Sequence, residues 1–191
     1  MGTANGKFDP EKYRTLNDPR RLEDIPVGRL WESMGLRDPR VLVDIGAGTG
    51  LFSRAFAAYV PGGTVYACDI SETMVEWMKQ NVCPGYPNIV ALRMRPSSVP
   101  LADRIADAVY MINVHHELDA PGETLREAFR LLKEGGRLCI VDWKKAPMPE
   151  GPPLHARCAP EEVERQAARA GFKAVTAYDE LPKHFLVVAG K

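Results

Sequence analysis

With 191 residues the chain has room for one domain of ordinary size, since a single core serves up to about 250 residues before chains divide. Its 45% hydrophobic and 26% charged residues describe a globular protein rather than a disordered tail. Twenty-five basic side chains balance twenty-five acidic ones, so no net field collects nucleic acid or an anionic membrane surface.

No apolar run approaches the roughly 20 residues that span a bilayer, and the polar start MGTANGKFDPEKYR lacks the apolar centre of a signal peptide. We therefore expect a cytoplasmic protein that binds neither nucleic acid nor membrane; the composition carries no sign of its oligomeric state. Residues 1–36 read as an N-terminal cap segment and 37–191 as the core of one domain. In the cap, the stretch through about Pro26 carries Phe8, Tyr13, Arg20 and Arg21 and is a candidate lid. Val27, Leu30, Trp31 and Met34 then stand at helical spacing and form one apolar stripe. A strand is predicted over Val41–Ile45, a helix over Thr49–Tyr59 and a second strand over Thr64–Cys68. Ser71 opens a third helix, with Glu72 in its first turn and Met74, Trp77 and Met78 on its buried side.

After the loop NVCPGYPN come strands over Ile89–Met94 and Ala106–Asn113. A helix runs from Pro121, a suitable first-turn residue, to a stop at Gly135-Gly136, and a strand follows over Arg137–Trp143. The Pro-rich loop APMPEGPP leads to a helix from Pro160 to Gly171, then strands over Lys173–Tyr178 and Phe185–Ala189. Alternation of this kind implies a parallel sheet covered on both faces. Only DELPKH separates the last two strands, too little for a crossover helix, so they pair as an antiparallel hairpin.

The most specific signal is VLVDIGAGTG, an apolar strand ending at Asp44 and then glycines at 46, 48 and 50. Such glycines let the backbone turn sharply and approach a ligand, while the following helix start offers free N–H groups. A dinucleotide fingerprint needs a glycine where Leu51 stands, which argues against a nicotinamide dehydrogenase. A carboxylate just before the turn repels phosphates and suits an ammonium group. Asp69, at the end of the second strand, is placed to accept two hydrogen bonds from a ribose diol, or to cap the helix after it.

VLVDIGAGTG, YACDIS, ADAVYMINVHHEL and LLKEGGRLCIVDWKK resemble, in order and interval, the motifs of class I S-adenosylmethionine-dependent methyltransferases. The likeness is nearest to the type-11 or ubiquinone/menaquinone C-methyltransferase-like branch and covers almost the whole chain. It implies a Rossmann-like α/β fold with a seven-stranded sheet in the order 3-2-1-4-5-7-6, strand 7 antiparallel, and helices on both faces. It also implies S-adenosyl-L-methionine as cofactor and S-adenosyl-L-homocysteine as product. By position, Gly46, Ala47, Gly48 and Gly50 would wrap the methionine part and Asp44 would hold its ammonium group. Asp69 would bind the ribose, Ile70 and Met74 would line the adenine, and Asn113 would reach the methionine end. Where many members carry an acid after strand three, this chain reads Arg95-Pro96-Ser97-Ser98, so adenine would rely on Ser97 or Ser98.

For the acceptor, methyl transfer needs an atom held in line and water kept out; a hydroxyl or carbon acid also needs its proton removed. His116 and Glu117, just past the fourth strand, are the first catalytic candidates, with Asp142 as a second base or an orienting group and Trp143 as a flat wall. The alternative is that these side chains only pair with one another at a strand end. The segment from Ala146 to Pro160, with His155, Arg157 and Cys158, is a second candidate lid, and His184 is placed away from the active rim. With no inserted domain, the pocket suits a small-molecule substrate. No metal site is expected: Cys68, Cys83, Cys139 and Cys158 show no ligand spacing. A catalytically silent cofactor-binding module and a thiol-dependent metalloid methyltransferase using Cys83 and Cys158 stand as the other readings.

Overall fold

The computed structural model describes residues 10–191, with side chains described from Tyr13 onward. Phe8, placed in the candidate lid, lies outside the described residues. The elements are α1 (Pro10–Leu16), α2 (Arg20–Asp24), α3 (Val27–Met34), β1 (Val41–Ile45), α4 (Leu51–Ala57), β2 (Thr64–Asp69) and α5 (Glu72–Asn81). They continue with β3 (Ile89–Arg93), β4 (Ala106–Ile112), α6 (Pro121–Leu131), β5 (Leu132–Trp143), α7 (Pro160–Arg169), β6 (Lys173–Tyr178) and β7 (His184–Gly190).

The strands form one sheet in the order β3-β2-β1-β4-β5-β7-β6. β1 to β5 run parallel, and β7 is antiparallel to both β5 and β6. Successive side chains of a strand point to opposite faces, so a strand buried on both sides reads as a continuous apolar run. β1 shows this: Leu42 joins a cluster with Leu30, Met34, Phe56 and Met78, whereas Val43 and Ile45 join one with Leu125, Leu131, Val163 and Phe172. Helices α3, α4 and α5 thus cover one face and α6 and α7 the other.

Local chemistry sets the helix ends. Ser71 caps α5, its hydroxyl accepting from Met74 N at 3.4 Å. α4 starts at Leu51, two residues later than predicted, because Gly50 stands in the left-handed region at φ 77°. α6 does not run to Gly135-Gly136; it ends at Leu131, and β5 passes through the glycines. The register jumps from Ala106↔Leu132 to Ala108↔Arg137, and Gly135, at φ 80°, makes the bend. Lys191 takes up the freed carbonyls, donating from Nζ to Phe129 O at 2.6 Å and Leu132 O at 2.8 Å. The short helices α1 and α2 are too brief to leave an apolar stripe in the sequence. Among the described residues no helix is long and apolar enough to cross a membrane.

An antiparallel strand begins where parallel ones end, so His184, paired with Trp143, stands at the active rim and not away from it. It is 2% exposed, its ring lies 4.3 Å from that of Trp143, and neither ring nitrogen has a hydrogen-bond partner. Burial, only partly opposed by the charges of Asp24 and Asp142, pushes its pKa down to about 4. An unfolded histidine takes up its proton near 6.5, so the unfolded state binds the proton first as pH falls. Stability should therefore drop by about 3 kcal/mol between pH 6.5 and 4 on this account. His184→Phe should flatten that part of the denaturation profile while holding stability at pH 7, and an unchanged acid slope in the variant would contradict the assignment.

Candidate active site

The turn after β1 is built from three left-handed glycines, Gly46 at φ 78°, Gly48 at 55° and Gly50 at 77°. A Cβ on Gly46 would lie 2.5 Å from Val114 Cγ2, so the turn needs glycine for space as well as for conformation. Gly46 N and Ala47 N both donate to Cys68 O, at 2.8 and 3.0 Å. Asp69, the next residue, accepts from Gly48 N on Oδ2 and from Ser71 N on Oδ1, each at 2.8 Å. One carboxylate thereby joins the glycine turn of β1 to the start of α5.

Above this junction lies a cavity of about 400 Å³ at the carboxyl ends of β1, β2 and β4. Asp44, Gly46, Ala47, Gly48, Asp69, Ile70, Met74, Ser97, Asn113 and Glu117 all line it. The structure thus brings most of the sequence-predicted site residues to one place. Gly50 is not among them; it precedes α4 and packs on α5, where a Cβ would meet Met78 Sδ at 3.2 Å. His116 and Asp142 do not line the cavity either. Their side chains form a buried pair outside its lining, His116 Nδ1 lying 2.7 Å from Asp142 Oδ1.

Asp44 is 2% exposed and accepts from Ser53 Oγ at 2.6 Å. Burial pushes its carboxyl up to about 7, with the Ser53 hydroxyl working the other way. Arg21, which the sequence placed in a lid without further role, lines the same cavity from α2. Its guanidinium donates to Leu16 O at 2.7 Å and stands 5.2 Å over the Phe52 ring, while Arg20 pairs with Asp18 at the surface. Burial lowers the pKa of Arg21 against the pull of Asp44 and Asp18. Asn113 sits at φ 57°, and its buried Oδ1 has no hydrogen-bond partner. At the far end, Ile70, Met74, Met94 and Pro96 give an apolar wall, and Ser97 Oγ lies 2.8 Å from Thr124 Oγ1.

Leu16, Leu51, Phe52, Glu123 and Thr124 also line the cavity, and the sequence motifs do not single them out. Their signal is positional: they are the first-turn residues of α4 and α6 and the end of α1. No residue of the second candidate lid, 146–160, reaches the cavity lining. Buried Arg157 organises that loop, donating to Pro152 O at 2.8 Å, Ala146 O at 2.9 Å and Glu150 O at 2.7 Å. His155 is exposed. Cys83 packs against the core of one sheet face and Cys158 against the other, so the two thiols do not converge.

Residues 43–140 match the family described as a methyltransferase domain. A solved S-adenosylmethionine-dependent methyltransferase from Aquifex aeolicus is 32% identical over 96% of this chain and 98% of its own, with a TM-score of 0.88. The chain belongs to the class I S-adenosylmethionine-dependent methyltransferases. Among curated relatives, the ubiquinone/menaquinone biosynthesis C-methyltransferases UbiE of Hahella chejuensis and Cereibacter sphaeroides are 29% and 30% identical over 72% and 78% of this chain. The chain spans 57% and 62% of the length of these two relatives.

The cofactor of this family is S-adenosylmethionine and its product S-adenosylhomocysteine. The donor set fits it. A buried carboxylate and a guanidinium stand at one end of the cavity, Asn113, whose buried Oδ1 has no hydrogen-bond partner, is among its lining residues, and apolar side chains close the other end. Carbon-detected NMR of the free methyltransferase should show one aspartate carboxyl titrating near 7, moved higher still by Ser53→Ala. If every aspartate titrates near 4, Asp44 is not desolvated as described.

Proposed function

We propose that this methyltransferase moves a methyl group to a small aromatic acceptor, a ring carbon activated by a phenolic hydroxyl. The observation that carries the cofactor half is the pair of buried carboxylates, Asp44 and Asp69, set on adjacent strand ends around one glycine turn. The acceptor half rests on the names of the curated relatives, which methylate carbon in quinone biosynthesis.

Asp44 would hold the ammonium group, and Arg21, from α2, the carboxylate of the same amino-acid end. Gly46, Ala47 and Gly48 would wrap that end, with Asn113 Oδ1 accepting from it. Asp69 would accept from the ribose hydroxyls while it still holds Gly48 N and Ser71 N, because a carboxylate has about four acceptor sites. Ile70, Met74 and Ser97 would border the adenine. Gly50 contributes by starting α4 in the right direction rather than by contact. The bound cofactor supplies an electrophilic methyl on a sulfonium; the chain's work is to hold the acceptor in line and to exclude water. Leu16 and Arg21 serve the second purpose, covering the cavity from the N-terminal segment. Four unpaired thiols, with Cys68 and Cys139 raised by burial, suit a reducing cytoplasm.

Fold alone does not decide the activity, since a solved [4+2]-cyclase, SpnF, shares it with a TM-score of 0.72 at 22% identity, so a catalytically silent cofactor-binding module is tested alongside methyl transfer. Three experiments test the reading: the first two probe the cofactor site, and the third separates transfer from silent binding. S-adenosylhomocysteine at about 100 times its Kd should stabilise the folded chain by about 2.7 kcal/mol while NADH does nothing, and the reverse preference would refute the cofactor site. Asp69→Ala should weaken that binding by about 1.5–3 kcal/mol, measured by calorimetry; unchanged affinity would leave Asp69 a purely structural clamp. Labelled methyl should then appear on 1,4-dihydroxynaphthalene, and its absence with cofactor bound would favour the silent module.

A further inference from the structure

A buried pair that does not line the cavity joins the turn between β4 and α6 to the end of β5. Asp142, at the end of β5, is 1% exposed and accepts three hydrogen bonds. His116 N donates to Oδ2 at 2.9 Å; His116 Nδ1 and Trp143 N approach Oδ1, each at 2.7 Å. The last two residues of one strand thus staple the turn that leaves its neighbour. Trp143 N can only donate, and a carboxylate only accepts, so the ring presents Nδ1–H to Asp142. This fixes the direction of the other ring nitrogen. Nε2 lies 3.8 Å from Glu117 Oε1, an ion-pair distance rather than a hydrogen bond. Of the three side chains, Glu117 alone lines the cavity, and its side chain is 73% exposed against 7% for His116.

The charged groups facing His116 are Asp142 from β5, Glu117 and His115 from its own turn, and Arg157 from the loop after β5. Burial disfavours charge on the ring and Arg157 adds to this. The hydrogen bond and charge of Asp142, with Glu117 beyond, outweigh both and raise the His116 pKa above the ordinary histidine value. Burial holds His115 the other way, below it.

We propose that Glu117 is the catalytic base that takes the hydroxyl proton of a phenolic acceptor, and that His116 and Asp142 are positioning residues that aim its carboxylate at the cavity. The inference rests on the methyl-transfer reading above. In the step, the acceptor O–H bond breaks and the proton goes to a Glu117 carboxylate oxygen. The electron pair stays on the acceptor oxygen and is delocalised to the ring carbon that will be methylated; after transfer that carbon loses its own hydrogen as a proton to water, which restores the aromatic ring. Glu117, open to solvent, returns the proton to water. The charged imidazole draws the carboxylate toward a fixed place; the neutral ring turns a lone pair to it and releases it. Methyl transfer should therefore decline as pH rises through the His116 pKa.

The test uses the full chain, S-adenosylhomocysteine, and 1,4-dihydroxynaphthalene as acceptor probe. Calorimetry with S-adenosylhomocysteine comes first; no binding by the wild type removes the cofactor reading itself, an outcome separate from any loss of turnover in a variant. Ring NMR should show the His116 pKa lowered by Glu117→Gln and by Asp142→Asn. Glu117→Gln, on an exposed side chain that folding does not need, should cut kcat by roughly 100-fold or more at similar KM. In Asp142→Asn the alkaline limb of the rate profile should move down with the NMR pKa. The proposal is overturned if Glu117→Gln turns over within threefold of wild type. It is also overturned if the limb stays put while the His116 pKa moves, or if a cofactor-binding wild type leaves the probe unmethylated.

Discussion

The Asp69 carboxylate is the constraint on which the site depends. It closes β2, reaches across to Gly48 N in the turn of β1 and back to Ser71 N at the start of α5, with both contacts at 2.8 Å. Backbone N–H groups at a turn and a helix start have no partner within their own element, and a buried carboxylate has an equal need of donors. Each satisfies the other. The glycine turn can then hold its left-handed residues without drifting, because it is tied at Gly46, Ala47 and Gly48 to the end of β2. A cofactor bound there would meet a surface already in shape, so little ordering would have to accompany binding.

Topology supplies the second half of the arrangement. Parallel strands end at one rim, and the single antiparallel strand β7 starts there. The rim therefore collects residues from distant parts of the chain: Asp44 and Asp69 on one side, Asp142, Trp143 and His184 on the other. The Asp142–His116 staple and the unpartnered His184 ring lie on adjoining strands, yet their pKa values move in opposite directions. His116 has a carboxylate against its ring and gains proton affinity; His184 is buried against an indole with no hydrogen-bond partner, and burial makes it lose proton affinity. Two histidines of the same rim thus differ through their nearest neighbour.

Much of this was legible in the sequence. β1 and β6 begin and end where the apolar pattern predicts, and DELPKH is too short for anything but a hairpin. The Asp44, glycine and Asp69 series was readable because its spacing is set by local geometry: a strand end, a turn and the neighbouring strand end. What failed was non-local. Gly135-Gly136 signals a helix stop, but here Lys191, far along the chain, caps α6 early and the glycines bend β5. Arg21 and Arg20 are indistinguishable as letters; only packing sends one over Phe52 into the cavity and the other to Asp18. His116, Glu117 and Asp142 share a rim position in the sequence pattern, but the rim has depth, and two of the three lie behind its surface.

The most direct test is a crystal structure of the methyltransferase soaked with S-adenosylhomocysteine. Density should fill the cavity above the glycine turn, with the ribose hydroxyls within hydrogen-bond reach of the Asp69 carboxylate and the amino group facing Asp44. Density elsewhere, or a nucleoside whose sugar turns away from Asp69 while the Gly48 and Ser71 contacts persist, would contradict this picture of the site.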